Sequence, residues 1–188
     1  MSIKHGLMAL LTEGPMYGAQ LRSEFEQRTG GTWPLNVGQV YTTLERLHRD
    51  GLVAVDSPAD DGTTLYRLTP DGVDAIGHWW TEPVERAQAP RSELAIKLAL
   101  AVTVASVDVT RIVQGQRTAT MSHLQDLTRL KRATGEDELA WRLVLENLIF
   151  TAEAEIRWLD HVEAEVSGPR RAPRKQAQPT HTAVGTSR

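Results

Sequence analysis

Residues 37–53 read VGQVYTTLERLHRDGLV, and this stretch decides the fold. Val37, Val40, Leu44 and Leu47 fall on one face of a helix running to about Arg49, and Gly51 stops it. Upstream, Ile3, Leu7, Leu10 and Leu11 repeat at helical spacing until Gly14-Pro15 ends the run. A second helix fits Gly18 to Arg28, with Leu21 and Phe25 four apart and Gly30-Gly31 closing it. Downstream the period changes. Residues 52–55 and 65–68 are short β-prone runs separated by a turn cluster at 57–62, which reads as a hairpin. Thr69-Pro70-Asp71-Gly72 restarts helix with a capping hydroxyl and a proline at the first helical position. This fourth helix carries Val73, Ile76, Trp79 and Trp80 and ends or kinks near Pro83. Three helices followed by a hairpin is the order of a winged helix-turn-helix, whose third helix enters the DNA major groove.

The outer face of helix three carries Gln39, Thr42, Thr43, Arg46 and Arg49. These side chains can meet base edges and phosphates, Gln being suited to adenine and Arg to guanine or phosphate. A merely solvated helix face has the same composition, so the face alone leaves both readings open. Tyr41 flanks the apolar stripe, where its ring can pack while its hydroxyl reaches a phosphate. Arg67 projects from the second wing strand toward phosphate or minor groove.

Beyond a loop around Ala89-Pro90 the chain reads as wholly helical. Residues 94–105 form a compact apolar segment, expected as a buried helix. Residues 108–132 form a weakly amphipathic one. The last helix is expected from Glu136 to Val166, with Thr134 as its cap and Gly168-Pro169 as its stop. Its residues Leu145, Ile149, Ala152, Ile156 and Leu159 alternate in steps of four and three, a seam that predicts a second subunit as its partner. The fold class is therefore mostly α with a small β-hairpin. A winged helix-turn-helix spans residues 1–88, a helical dimerisation and effector domain 89–166, and a disordered basic tail 167–188.

Charge supports this division. The chain carries a net −3, with seven basic and twelve acidic residues in 1–90, nine and twelve in 91–166, and five and none in 167–188. Flexible Lys and Arg of such a tail can reach phosphates without fixed geometry, or they can serve solubility alone. Cysteine is absent, which removes disulfides, thiolate zinc sites and a cysteine nucleophile. The longest apolar stretch contains Lys97 and is too short to cross a bilayer, and the first residues lack a signal-peptide core, so a cytoplasmic protein with no membrane partner is expected. Asp74/His78 and His161/Glu165 stand four apart, but neither pair has an indicated third ligand. No phosphate-cradling glycine loop or nucleophile elbow occurs. Neither an enzyme, a metal site nor a cofactor is expected.

HGLMALLTEGPMYGAQL at residues 5–21 resembles the first two helices of the PadR family of transcriptional regulators. Residues 37–53 resemble that family's recognition-helix signature, and YRLTPDG at 66–72 its wing exit. Together these cover most of residues 3–80, with Gly14-Pro15-x-Tyr17-Gly18 and Tyr41-x-x-Leu44-x-x-Leu47 at the family's spacing. RSELAIKL at 91–98 is similar to the junction in members with a long C-terminal region. The resemblance implies a homodimeric repressor on a double-stranded DNA operator, often released by a small aromatic ligand. It places Gly38, Gln39, Tyr41, Thr42 and Thr43 at the DNA-reading positions and Tyr17 at a backbone-clamping one. The wing departs from the pattern: family members commonly carry Arg or Lys near its tip, where this chain has Asp60-Asp61-Gly62.

An acidic wing and a net negative charge also suit a winged helix used for protein contacts without DNA binding, which is the competing reading. Trp79, Trp80 and Trp158 are candidates to line an aromatic-ligand pocket. The competing assignment for each is a core or interface anchor.

Overall fold

A computed structural model describes residues 3–56, 64–84 and 92–167. The chain order is α1 (Ile3–Leu11), β1 (Met16–Tyr17), α2 (Gly18–Arg28), α3 (Val37–Arg49), β2 (Val53–Val55), β3 (Leu65–Leu68), α4 (Pro70–Thr81), α5 (Glu93–Ala101), α6 (Val109–Ala133) and α7 (Leu139–Ser167). The wing tip at Asp60-Asp61-Gly62, the loop at Ala89-Pro90 and the basic tail from residue 168 lie outside the described residues.

The four N-terminal helices form where the apolar spacing and the stop residues put them. Val40, Leu44 and Leu47 are buried against Leu7, Met8, Leu11 and Leu21. Gly51, at φ 73°, ends α3 in the left-handed region that a side chain would strain. The hairpin strands are antiparallel, with Val53 opposite Leu68 and Val55 opposite Tyr66. A third strand joins them: β1 pairs with β3, Met16 opposite Tyr66, giving the order β1-β3-β2. Its two residues are too few for any alternation to announce them.

The start of α4 locks this unit. The Thr69 hydroxyl accepts from the Gly72 N–H at 3.1 Å and donates to the Gly51 carbonyl at 2.7 Å. The Thr69 N–H donates to the Leu52 carbonyl at 3.1 Å. That carbonyl then lies so close to Gly72 that a Cβ there would overlap it.

The C-terminal helices differ from expectation in three ways. First, α5 ends at Ala101 and is not a buried helix. Leu98 and Ala101 face inward, while Ile96 and Leu100 stand on the open side, Leu100 being 62% exposed. A segment apolar on all sides cannot be covered on all sides by the two helices available to it. Second, Thr134 closes α6, its hydroxyl donating to the Leu130 carbonyl at 2.9 Å, and α7 begins only at Leu139. Third, the seam on α7 is not left for a second subunit. Leu145, Ala152 and Leu159 are buried within the chain, beneath α6. They are spaced by seven, as are Val113, Thr120 and Leu127, the buried stripe of α6. Two antiparallel helices with seven-residue stripes close on each other as a two-stranded coil does. The surface that covers this seam is α6 itself. Ile149 and Ile156 are half-buried at the margin of this seam.

Polar contacts fix the register of the pair. Lys131 meets Glu146 at 2.7 Å, Arg117 meets Asp160 and Glu163 at 2.7 Å each, and the Thr120 hydroxyl donates to Glu155 at 2.6 Å. The winged unit and the hairpin touch where Trp141 of α7 lies over Gly30, just past α2, leaving no room for a Cβ.

Gly72 and Gly77 of α4 make a paired test. Around Gly77 nothing stands within 4 Å of a Cβ, so Gly77→Ala should raise stability by about 0.5–1 kcal/mol through helix propensity. Gly72→Ala should instead lower it by about 1–3 kcal/mol, because backbone must move to admit the methyl. Thermal unfolding followed by circular dichroism checks both. Equal melting temperatures for the two variants would reject the close approach at Leu52.

Candidate nucleic-acid interface

The polar face of α3 is presented as the sequence stripe demands. Gly38, Gln39, Thr42, Arg46 and Arg49 are exposed, and Thr43 is half-buried. Gly38, Gln39, Thr42, Thr43 and Arg46, with Asn36 and Ile3, border an open hollow of about 450 Å³ in front of the helix. The Thr43 hydroxyl donates to the Gln39 carbonyl at 2.6 Å, so its proton is committed to the helix backbone. Thr42 keeps its hydroxyl free of side-chain partners among the described residues.

Asn36, an exposed residue just ahead of α3, holds the helix start. Its Oδ1 accepts from the Gly38 N–H at 2.8 Å, and Gln39 Oε1 accepts in return from the Asn36 N–H at 3.1 Å. This is a capping box. The sequence reading missed it, although Asn36-x-x-Gln39 is its signature. Gln39 is therefore both a structural cap and a candidate base reader.

Tyr41 lies across the start of α2. A Cβ on Gly18 would stand 2.9 Å from its ring and 3.2 Å from its hydroxyl, so only glycine admits the ring there. Tyr17 is the cap residue of α2, is 36% exposed, and gives the helix no side-chain cap bond. No acidic residue occupies the first turn of α2. The open amide groups and positive dipole end of this helix thus sit beside two tyrosines. Tyr66, buried below, has its hydroxyl pKa pushed up by burial first, then by the nearby Tyr41 and Glu45.

Arg67 is exposed on β3, opposite Ala54. Among the described residues Arg46 and Arg67 take part in no ion pair, whereas Arg49 approaches Asp50 at 3.5 Å.

The three tryptophans picked out for a ligand fall in two different apolar clusters. Trp79 packs on the N-terminal core and stacks on His5 with ring centroids 5.4 Å apart. Burial, then the neighbouring Lys4, lowers the His5 pKa and favours the neutral ring. Trp80 tilts against Trp79 at 4.5 Å and is 62% exposed. Trp158 packs instead with Leu98, Val113 and Leu159. Trp141, not singled out from the sequence, is the one that bridges the winged unit and α7. It borders a recess with Gln27, Arg28, Asp137 and Glu138. Beside that recess Arg28 holds Glu13 at 2.6 Å, and this hydrogen bond keeps the Glu13 carboxyl below its usual range.

Comparison with known proteins accords with this geometry. The family model described as the transcriptional regulator PadR-like family matches residues 7–78, and that of the virulence activator alpha C-terminal region matches 90–167. The negative transcriptional regulator PadR of Bacillus subtilis (strain 168) is 22% identical over 177 residues, spanning 87% of this chain and 97% of that protein. The crystal structure of Bacillus subtilis PadR with operator DNA covers 88% of this chain and 99% of its own, at 18% identity and a TM-score of 0.67. The same protein with p-coumaric acid gives 88%, 99%, 18% and 0.69. The Vibrio cholerae virulence activator AphA covers 88% and 98%, at 21% identity and a TM-score of 0.63. At such identities these structures share the fold.

Proposed function

We propose that this chain, whose residues 7–78 match the PadR-like family model, is a transcriptional regulator of that kind: a homodimeric repressor released from its operator by a small aromatic ligand. In this reading residues 1–88 bind DNA, 89–166 dimerise and receive the effector, and the basic tail from 167 adds phosphate-seeking charge.

The observation that carries the DNA reading is the outer face of α3, with Arg46 and, on the wing, Arg67 free of ion pairs among the described residues. Gly38, Gln39, Thr42 and Thr43 would face base edges. Tyr17, Tyr41 and the uncapped start of α2 would take a backbone phosphate, as helix N-termini do. A dimer places its half-sites about one helical turn, roughly 34 Å, apart, so the operator should be near-palindromic. Repression is supported by the Bacillus subtilis relative, a negative transcriptional regulator. An aromatic acid is supported by the p-coumaric acid complex of that relative.

The dimer surface moves away from the buried seam. Ile96, Leu100 and Val102 at α5, with Leu139, Leu143 and Phe150 on α7, are large apolar residues left exposed in one chain. Such exposure is what a partner surface needs. Leu145, Ala152 and Leu159 are already occupied by α6.

Three outcomes are expected. A gel shift on DNA selected from a random pool should show binding, and Arg46→Ala should weaken all sequences about equally while flattening the salt slope by about one unit. Failure of the wild type to select any sequence would favour the protein-contact reading instead. Leu100→Glu should shift the chain to monomer in light scattering with its helical content retained; a dimer that survives it, and survives Phe150→Glu, would reject this surface. Addition of p-coumaric acid should quench tryptophan fluorescence and release DNA over one concentration range, since coupling between sites is reciprocal. Quenching without release would leave only an uncoupled binding site.

A further inference from the structure

We propose that Gln39 reads its base as a hydrogen-bond donor, and that the base it selects in each half-site is guanine. This rests on the operator-binding reading above and names the base class that α3 selects.

The usual pairing of glutamine with adenine needs both ends of the amide on one base edge. Nε2 donates to N7 while Oε1 accepts from the N6 amino group. In this chain Oε1 is turned back to the helix start, where it accepts from the Asn36 N–H at 3.1 Å. That bond also settles the orientation of the amide, because exchanging nitrogen for oxygen would set donor against donor. Nε2 is left with no partner among the described residues, and Gln39 is exposed at the hollow it borders with Gly38, Thr42 and Arg46.

A side chain held in this way offers two N–H bonds and no free acceptor on the same side. Guanine presents N7 and O6, two adjacent acceptors, in the major groove. Adenine and cytosine each place an amino donor there. Adenine leaves Nε2 only its N7 acceptor; the two-bond pairing with adenine would require Oε1 to swing into the groove, which breaks the capping box and leaves the Asn36 N–H unsatisfied at the helix start. The cap thus makes Asn36 a positioning residue: its backbone N–H fixes which end of Gln39 meets DNA.

The test is selection of bound sequences from a random DNA pool by the full-length protein and by Gln39→Glu. Glutamate at this position keeps the capping oxygen and suits the positive end of the helix, so the variant should melt no lower than wild type. It replaces the outward donor with an acceptor. The wild type should select guanine at one position of each half-site by about tenfold or more, the scale of one good base contact. In Gln39→Glu that position should change to cytosine, whose N4 amino group donates, while the other selected positions stay. Gln39→Ala should lose the preference at that position altogether. Adenine selected by the wild type at the position sensitive to Gln39 would overturn the proposal. So would a selected motif in which no position responds to either substitution, with DNA binding itself left standing. If no motif is selected by the wild type, the operator reading falls and the proposal falls with it.

Discussion

The carbonyl of Leu52 couples the residues that follow α3 to the start of α4. It accepts from the Thr69 N–H and lies against the bare Cα of Gly72. The Thr69 hydroxyl meanwhile ties Gly51, the residue that ends α3, to the first turn of α4. Three elements therefore share one small junction: the end of α3, the entry to the wing and the start of α4. With the capping box at its other end, α3 is held at both termini by bonds that use backbone groups or side-chain atoms facing back along the helix. On its outer face the oxygen of Gln39, the hydroxyl proton of Thr43 and Arg49, which approaches Asp50, are engaged within the chain.

The C-terminal half follows a different constraint. α6 and α7 each bury a stripe of seven-residue period, and the middle layer, Thr120 over Ala152, is small and polar, with Glu155 and Gln116 hydrogen-bonded at its edge. Small side chains at mid-seam allow close approach, and the polar contacts oppose slippage of one helix along the other. A hairpin that closes on itself sends its remaining apolar residues outward, to α5 and the far side of α7. The same hairpin carries Trp141 onto Gly30. Gly30 has a φ of 58° and admits no Cβ beneath the indole ring. Trp141 of α7 thus lies against the end of α2, the helix whose other end lies under Tyr41. The eleven-residue helix α2 therefore spans the distance between the Trp141 contact and the Tyr41 contact.

The N-terminal unit was largely legible in the sequence because its signals are local. The Val40/Leu44/Leu47 stripe, the stop at Gly51 and the Thr69-Pro70 start need no knowledge of distant residues. β1 was not legible, since two residues show no period and exist as a strand only because β3 lies beside them. The seam of α7 was read correctly as a seam and assigned to the wrong partner. Periodicity states that a face will be covered, but which helix covers it depends on tertiary packing. Gln39 was noticed for its chemistry and not for its position three residues after Asn36, where the capping signature was in plain view. The ligand candidates illustrate the same limit: tryptophan content marks where large area is buried, and only packing separates Trp79 on His5 from Trp158 beside Leu98.

An acidic winged unit on DNA poses an electrostatic problem, and the arrangement of its charges bears on the answer. Residues 1–90 hold twelve acidic and seven basic side chains, an excess that at long range repels phosphate. Several of those acids are spent locally. Glu13 and Glu24 hold Arg28, Glu26 holds Arg22, and Asp50 faces Arg49. Among the described residues of the winged unit, the arginines left without an ion pair are Arg46 on the outer face of α3 and Arg67 on the wing. At physiological salt the screening length is about 8 Å, so a phosphate at the helix face feels its near neighbours far more than the net charge of the unit. Arg46, Arg67 and the open start of α2 are positive groups near that face, whereas Arg22 and Arg28 are paired with carboxylates. In a protein that binds DNA, net charge governs the rate of encounter, while the few groups in contact govern how long the complex lasts.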